Sequence, residues 1–210
     1  DEVEAERMLD HAIESGVTYI DTAYPYHDGE SEPFVGRVLK KYKREDFYLA
    51  TKLPMFKIDS LEQAKEIFEE QIKRLDVDYV DFYLLHALNK DTWKKVIDLN
   101  IIPYCEELKK QGRIKNFGFS FHDDYEVFEE IINYRDWDFC QIQLNYIDTD
   151  IQAGMKGYKL TEEKNVPLVI MEPIKGGALA SLSDDIEKVF TDYNQNVSIS
   201  SWALRFVASL

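Results

Sequence analysis

Six short stretches rich in β-branched and aromatic residues recur along the chain, at 17–23, 47–53, 79–87, 114–121, 139–146 and 167–173. Each has the length of one strand. Between them, polar and apolar positions repeat with helical spacing. In SLEQAKEIFEEQIKRLD the residues Ala64, Phe68, Ile72 and Leu75 fall on one face, and Ser60 with Gln63 has the spacing of a capping box. The same periodicity predicts helices over 3–15, 31–41, 91–111, 124–134, 151–164, 184–193 and 198–209. Strand and helix alternate with no Pro- or Gly-rich linker and no low-complexity stretch, so the crossovers should be right-handed and the sheet parallel. A doubly wound sheet and a (β/α)8 barrel both satisfy this pattern. The Gly-x-Gly-x-x-Gly turn expected of a doubly wound nucleotide fold is missing, which favours the barrel. The expected fold class is therefore α/β, a TIM (β/α)8 barrel, in one domain over 1–210.

Composition narrows the range of functions. With 210 residues, 45% apolar and 13% aromatic, the chain can bury one core. Lys and Arg total 25 against 40 Asp and Glu, a net charge of −15, and such a surface repels nucleic acids and acidic membranes. Cys105 and Cys140 are far apart and lack Cys-x-x-Cys spacing, so neither a disulfide framework nor a zinc site is expected, and a reducing cytoplasm fits. No apolar run approaches the ~20 residues of a membrane span, and the acidic start is the opposite of a signal peptide.

In a parallel barrel the C-terminal strand ends share one rim, and catalytic groups sit there. The first strand ends on Asp21 with Tyr26 in the following loop, the second on ATKLP with Lys52, the third on YLLHA with His86. Period-2 alternation places Val17, Tyr19 and Asp21 on one face, as it does Tyr48, Ala50 and Lys52, and Phe82, Leu84 and His86. An acid at the end of an apolar strand is costly unless it is matched, and Lys52 on the adjacent strand is the expected match for Asp21. A cation beside a phenol stabilises the phenolate, which would make Tyr26 a usable general acid. His86 could bond the same oxygen and orient a substrate carbonyl. A hydride donor is the natural missing half. His27 and His122 lie in polar loops and are weaker candidates.

These strand ends resemble a known family, the aldo-keto reductases, whose motif Asp-Thr-Ala-x-x-Tyr, then a strand-end Lys, then a strand-end His, is matched by DTAYPY, ATKLP and YLLHA. The resemblance implies reduction of small aldehydes or ketones, with Tyr26 as proton donor, Asp21 and Lys52 tuning it and His86 orienting the carbonyl. It implies NADPH as cofactor, with Ser120 of GFSFHD and Gln141 of CQIQLNY holding the nicotinamide carboxamide. Gly176 and Gly177 of PIKGG would let backbone approach the pyrophosphate. Two departures stand out: Phe121 and His122 follow Ser120 where many members have Asn, and Met171 stands where many stack a Tyr on the nicotinamide. MEPIKGG and GFSFHD resemble the bacterial and archaeal branch that often carries an iron–sulfur extension. This chain lacks such cysteines, so a cluster would belong only to an absent C-terminal extension.

Six strands are found where such a barrel needs eight. By the resemblance the chain lacks the first and last strands and should form an open barrel, inactive as a fragment. Two other functions remain open: a regulatory subunit that binds NADPH without turnover, and a lyase or aldolase using Lys52 as a Schiff base.

Overall fold

The computed structural model describes residues 1–210, and its helix over Leu61–Leu75 shows how patterning becomes packing. Ser60 accepts the N–H of Gln63 at 3.2 Å, while the Gln63 side chain accepts the N–H of Asp59 at 2.8 Å. The Ser60 cap is thus formed, with its reciprocal half displaced by one residue. The buried face is Ala64, Ile67, Phe68, Gln71 and Leu75, and Ile72 is only half-buried. A polar residue, Gln71, therefore lies on the core side.

The strands are β1 Tyr19–Asp21, β2 Tyr48–Leu53, β3 Val80–Leu88, β4 Ile114–Phe121, β5 Phe139–Gln143 and β6 Leu168–Met171. The helices are α1 Glu2–Glu14, α2 Ser31–Leu39, α3 Leu61–Leu75, α4 Lys90–Asp98, α5 Ile101–Lys110, α6 Tyr125–Tyr134, α7 Gly154–Lys164, α8 Asp184–Tyr193 and α9 Ile199–Ala208. The helix expected over 91–111 is two helices. The break falls at Leu99 and Asn100, where Asn100 takes a left-handed φ of +55° that its short polar side chain tolerates. The first strand is shorter than expected because the Val17 N–H bonds Ala12 O at 3.0 Å and so closes α1.

Two compact units divide the chain, Asp1–Ser120 and Phe121–Leu210. In the first, β1, β2 and β3 pair in parallel, with Asp21 opposite Ala50, Ala50 opposite Phe82 and Lys52 opposite Leu84. Tyr19, Tyr48 and Phe82 share one face of this sheet, their rings 5.2 and 6.1 Å from that of Phe82. The period-2 expectation therefore holds within the strands, and two residues further along the same face come Asp21, Ala50 and Leu84, with Lys52 and His86 at the strand ends. The other face meets α3, where Phe68 packs edge-on against Tyr83 at 5.2 Å. Gly36 lets α2 come close to α3: a Cβ there would stand 2.6 Å from the Leu75 carbonyl oxygen.

In the second unit β5 and β6 pair in parallel, with Gln141 opposite Val169 and Gln143 opposite Met171. Phe190 of α8 lies 6.0 Å from Trp202 of α9 and 6.1 Å from Tyr146, so aromatic contacts hold these helices to the loop after β5.

Candidate active site

All four rim residues of the first three strands meet in the first unit. The Lys52 side chain is 1% exposed, and its ammonium pairs with Asp21, whose side chain is 26% exposed. The same nitrogen donates to Thr22 O at 3.0 Å and to the Tyr26 hydroxyl at 3.4 Å. An ammonium has three hydrogens, so these three acceptors use all of them. The Thr22 carbonyl was not foreseen from the sequence, since a backbone acceptor leaves no mark on residue types.

Tyr26 opens a short 3₁₀ turn, Tyr26–Gly29, in which His27 and Asp28 have left-handed φ values of +52° and +56°. Non-glycine residues held in that region store backbone strain, which clusters at functional loops. Tyr26 is 38% exposed, and the His86 ring stands edge-on to it at 5.7 Å. Phe56, 48% exposed, has its ring 5.7 Å from that of His86 and was also missed by the sequence reading. His27 sits in the turn without joining the other four. On β1, burial and then the Asp21 charge push the Tyr19 phenol above its ordinary range, which keeps it neutral beside the carboxylate.

A second layer lies behind these strands. Glu32, fully buried, accepts from the Thr51 hydroxyl at 2.6 Å and from the Gln71 amide at 2.8 Å. Burial raises its carboxyl above the usual range, against the lowering effect of those two hydrogen bonds and of Arg74. Gln71 also donates to Lys52 O at 3.0 Å and accepts from Tyr83 at 2.8 Å. The helical spacing of Gln71 with Phe68 and Leu75 was the available signal for this layer.

The expected cofactor residues fall in both units. Ser120, in the first, is buried, and its hydroxyl oxygen accepts the N–H of Ala87, the residue after His86, at 2.8 Å. Ala87 has a left-handed φ of +52°, so Ser120 pins a strained bond next to the imidazole. In the second unit Gln141 is 4% exposed on β5, and Met171 ends β6 half-buried. Gly176 and Gly177 lie in a 3₁₀ turn at Lys175–Gly177. Beside them Lys175 bonds Asp148 at 2.6 Å and holds that carboxyl below its usual range. His122 bonds the Gln152 side chain at 3.2 Å.

Comparison with known proteins agrees with this fold. The family model described as "Aldo/keto reductase family" matches residues 1–209. An uncharacterized oxidoreductase, YqkF, of Bacillus subtilis (strain 168) is 31% identical over 181 residues, covering 82% of this chain and 56% of that protein. The NADH-specific methylglyoxal reductase of Escherichia coli (strain K12) is 25% identical, covering 78% of this chain and 54% of that protein. The chain thus spans about half the length of these curated relatives. The holo form of aldo-keto reductase AKR11C1 from Bacillus halodurans superposes with a TM-score of 0.81 at 28% identity, over 100% of this chain and 74% of that one. The fold class is accordingly that of the (β/α)8 barrel, with six of its strands in this chain. On the family match over 1–209 and the structural likeness, the chain belongs to the aldo/keto reductase family.

Proposed function

We propose that this chain carries the catalytic residues of an oxidoreductase that reduces small aldehydes or ketones with NADPH, and that these residues are Asp21, Tyr26, Lys52 and His86. The observation that carries the reading is the full commitment of the Lys52 ammonium to Asp21, Thr22 O and the Tyr26 oxygen. Because Lys52 donates to that oxygen, the phenolic hydrogen is directed elsewhere and is available to a substrate oxygen. As the proton leaves, negative charge grows on an oxygen 3.4 Å from a cation already in place, so little reorganisation accompanies the transfer. His86 would steer the substrate oxygen towards Tyr26. Phe56 offers an apolar wall beside it for a short carbon chain.

Each unit by itself carries groups suited to part of a nicotinamide dinucleotide. Ser120 has its oxygen taken by Ala87 N–H, which leaves its hydrogen for a carboxamide oxygen, and the Gln141 amide complements another amide. At Gly176 and Gly177 no heavy atom stands within 4 Å of where a Cβ would be, so backbone there can approach a diphosphate. Met171 would touch the ring through its thioether, a contact of roughly 0.3–1.5 kcal/mol. When bound, the reduced nicotinamide supplies the hydride that the carbonyl carbon takes up.

The name of the E. coli relative makes methylglyoxal a substrate to try and NADH a cofactor to compare. The test is carbonyl-dependent oxidation of NADPH or NADH by the whole protein. Absence of oxidation with either cofactor across small aldehydes and ketones would overturn the reading. The three acceptors around Lys52 also count against a Schiff-base lyase, which needs a free amine lone pair. Borohydride trapping of a carbonyl on Lys52 would reverse that judgement.

A further inference from the structure

We propose that Glu32 is a positioning residue for the Tyr26–Lys52 pair, acting from behind the sheet through Thr51, Gln71 and Arg74. The inference rests on the reductase reading for its meaning in turnover. Its geometry stands independently.

Glu32 on α2 is the shared acceptor of a buried network with two arms. One arm reaches the lysine. Thr51, which precedes Lys52 on β2, donates its hydroxyl to Glu32, and Gln71 donates both to Glu32 and, at 3.0 Å, to the carbonyl of Lys52 itself. Tyr83 fixes the other end of the Gln71 amide at 2.8 Å, so the amide cannot turn without losing a buried bond. The second arm reaches the tyrosine loop. Arg74 lies 3.5 Å from Glu32, donates to Tyr24 O at 3.4 Å and stacks 4.2 Å over the Tyr24 ring, two residues before Tyr26. A third tie runs beside them: Ser31, next to Glu32, bonds the Thr22 hydroxyl at 2.8 Å, and the Thr22 carbonyl is an acceptor of the Lys52 ammonium.

Glu32 thereby links the backbone at Lys52 to that at Tyr24, sharing the Arg74 arm with Glu70, and so bears on the separation of the two reacting side chains. Reacting groups misplaced by about 1 Å can lose on the order of 10²-fold in rate. The charged and titratable groups around Glu32 are Arg74 of α3, Tyr24 of the loop after β1 and Tyr83 of β3. Of these Arg74 alone is a cation. Replacing Glu32 by glutamine keeps an acceptor for Thr51 and Gln71 but removes one of the two carboxylates that hold Arg74, the other being Glu70 at 2.6 Å, which also accepts from the Tyr24 hydroxyl at 2.8 Å.

The test is reductive methylation of lysines in the folded protein, read residue by residue by mass spectrometry, with Lys95, bonded to Ile58 O and Asp59, as internal reference. In Glu32→Ala the labelling of Lys52 should rise several-fold against Lys95, and Glu32→Gln should restore most of the protection. Unchanged Lys52 labelling in a folded Glu32→Ala protein would overturn the proposal. If Glu32→Ala does not fold, Arg74→Gln carries the test: hydrogen exchange over 22–29 should quicken while Lys52 labelling holds, and unchanged exchange there would overturn it. In turnover, Glu32→Ala, or Arg74→Gln where it stands in, should lower kcat by about 10²-fold with KM nearly constant. A rise in KM alone would count against positioning. If the wild-type protein shows no carbonyl reduction, the reductase reading fails, and the labelling and exchange results still decide the role of Glu32.

Discussion

The ammonium of Lys52 donates to the phenolic oxygen of Tyr26 at 3.4 Å, with the nitrogen itself only 4.9 Å from the centre of the Tyr26 ring. The hydroxyl is therefore tied to the lysine by its oxygen and free to give up its hydrogen on the other side. Tyr26→Phe removes that hydrogen together with the oxygen that accepts from Lys52, while the ring keeps its place beside His86. Carbonyl reduction should fall by roughly 10²- to 10⁴-fold while cofactor affinity stays within a few-fold. Steady-state rates and a fluorescence titration with NADPH check the two halves separately. Turnover equal to the parent would remove Tyr26 from the mechanism.

The ion pair is asymmetric. Lys52 is the buried member, and Asp21 keeps a quarter of its side chain in water. Removing the partner of a buried charge costs more than removing the partner of a wet one. Asp21→Asn should therefore destabilise more than Lys52→Met, by up to about 3 kcal/mol for the one-sided loss. The double variant should cost less than the sum of the two, as expected when the groups touch. Urea denaturation of all four proteins measures the cycle. Additive losses would show that the pair contributes nothing as a pair.

Much of the site could be read from the chain because its residues stand at strand ends, where a change from apolar to polar is conspicuous. Asp21, Lys52 and His86 each close a run of apolar residues, and the alternation of Tyr19, Tyr48 and Phe82 put all three on one face. The supporting layer was hidden for the opposite reason. Glu32, Thr51 and Gln71 are polar residues on the core side of an amphipathic pattern, and only the three-dimensional meeting of α2, β2 and α3 shows that they satisfy one another. The break between α4 and α5 was hidden too, because the apolar periodicity continues across Leu99 and Asn100 while the backbone turns at the asparagine.

Gly36 offers a test of the packing that brings Glu32 to the sheet. A Cβ at this position would lie 2.6 Å from the Leu75 carbonyl oxygen and 2.7 Å from that of Arg74, both backbone atoms that cannot swing aside. Gly36→Ala should push α2 away from α3 at a cost of about 1–3 kcal/mol, outweighing the better helix propensity of alanine. The urea midpoint should fall accordingly. A midpoint at or above that of the parent would mean that the two helices separate without penalty.

The buried carboxyl of Glu32 gives a pH signature of definite sign. Burial raises its pKa in the folded chain, and the bonds from Thr51 and Gln71 and the nearby Arg74 offset only part of that rise. In the unfolded chain the group titrates in the ordinary carboxyl range, so over the window between the two values the folded state holds the extra proton. Stability then falls as pH rises through that window and levels off once Glu32 has lost its proton in the folded state as well. Other groups contribute their own slopes, among them Asp148, whose pKa is lowered by Lys175 and which acts with the opposite sign. The variant Glu32→Gln isolates the contribution of this carboxyl. Subtracting its urea-midpoint profile from that of the parent, from pH 4 to pH 8, should leave a curve that declines with rising pH and then flattens. A difference curve that climbs with pH would mean that the network stabilises the Glu32 charge more than burial penalises it, reversing the balance argued from its surroundings.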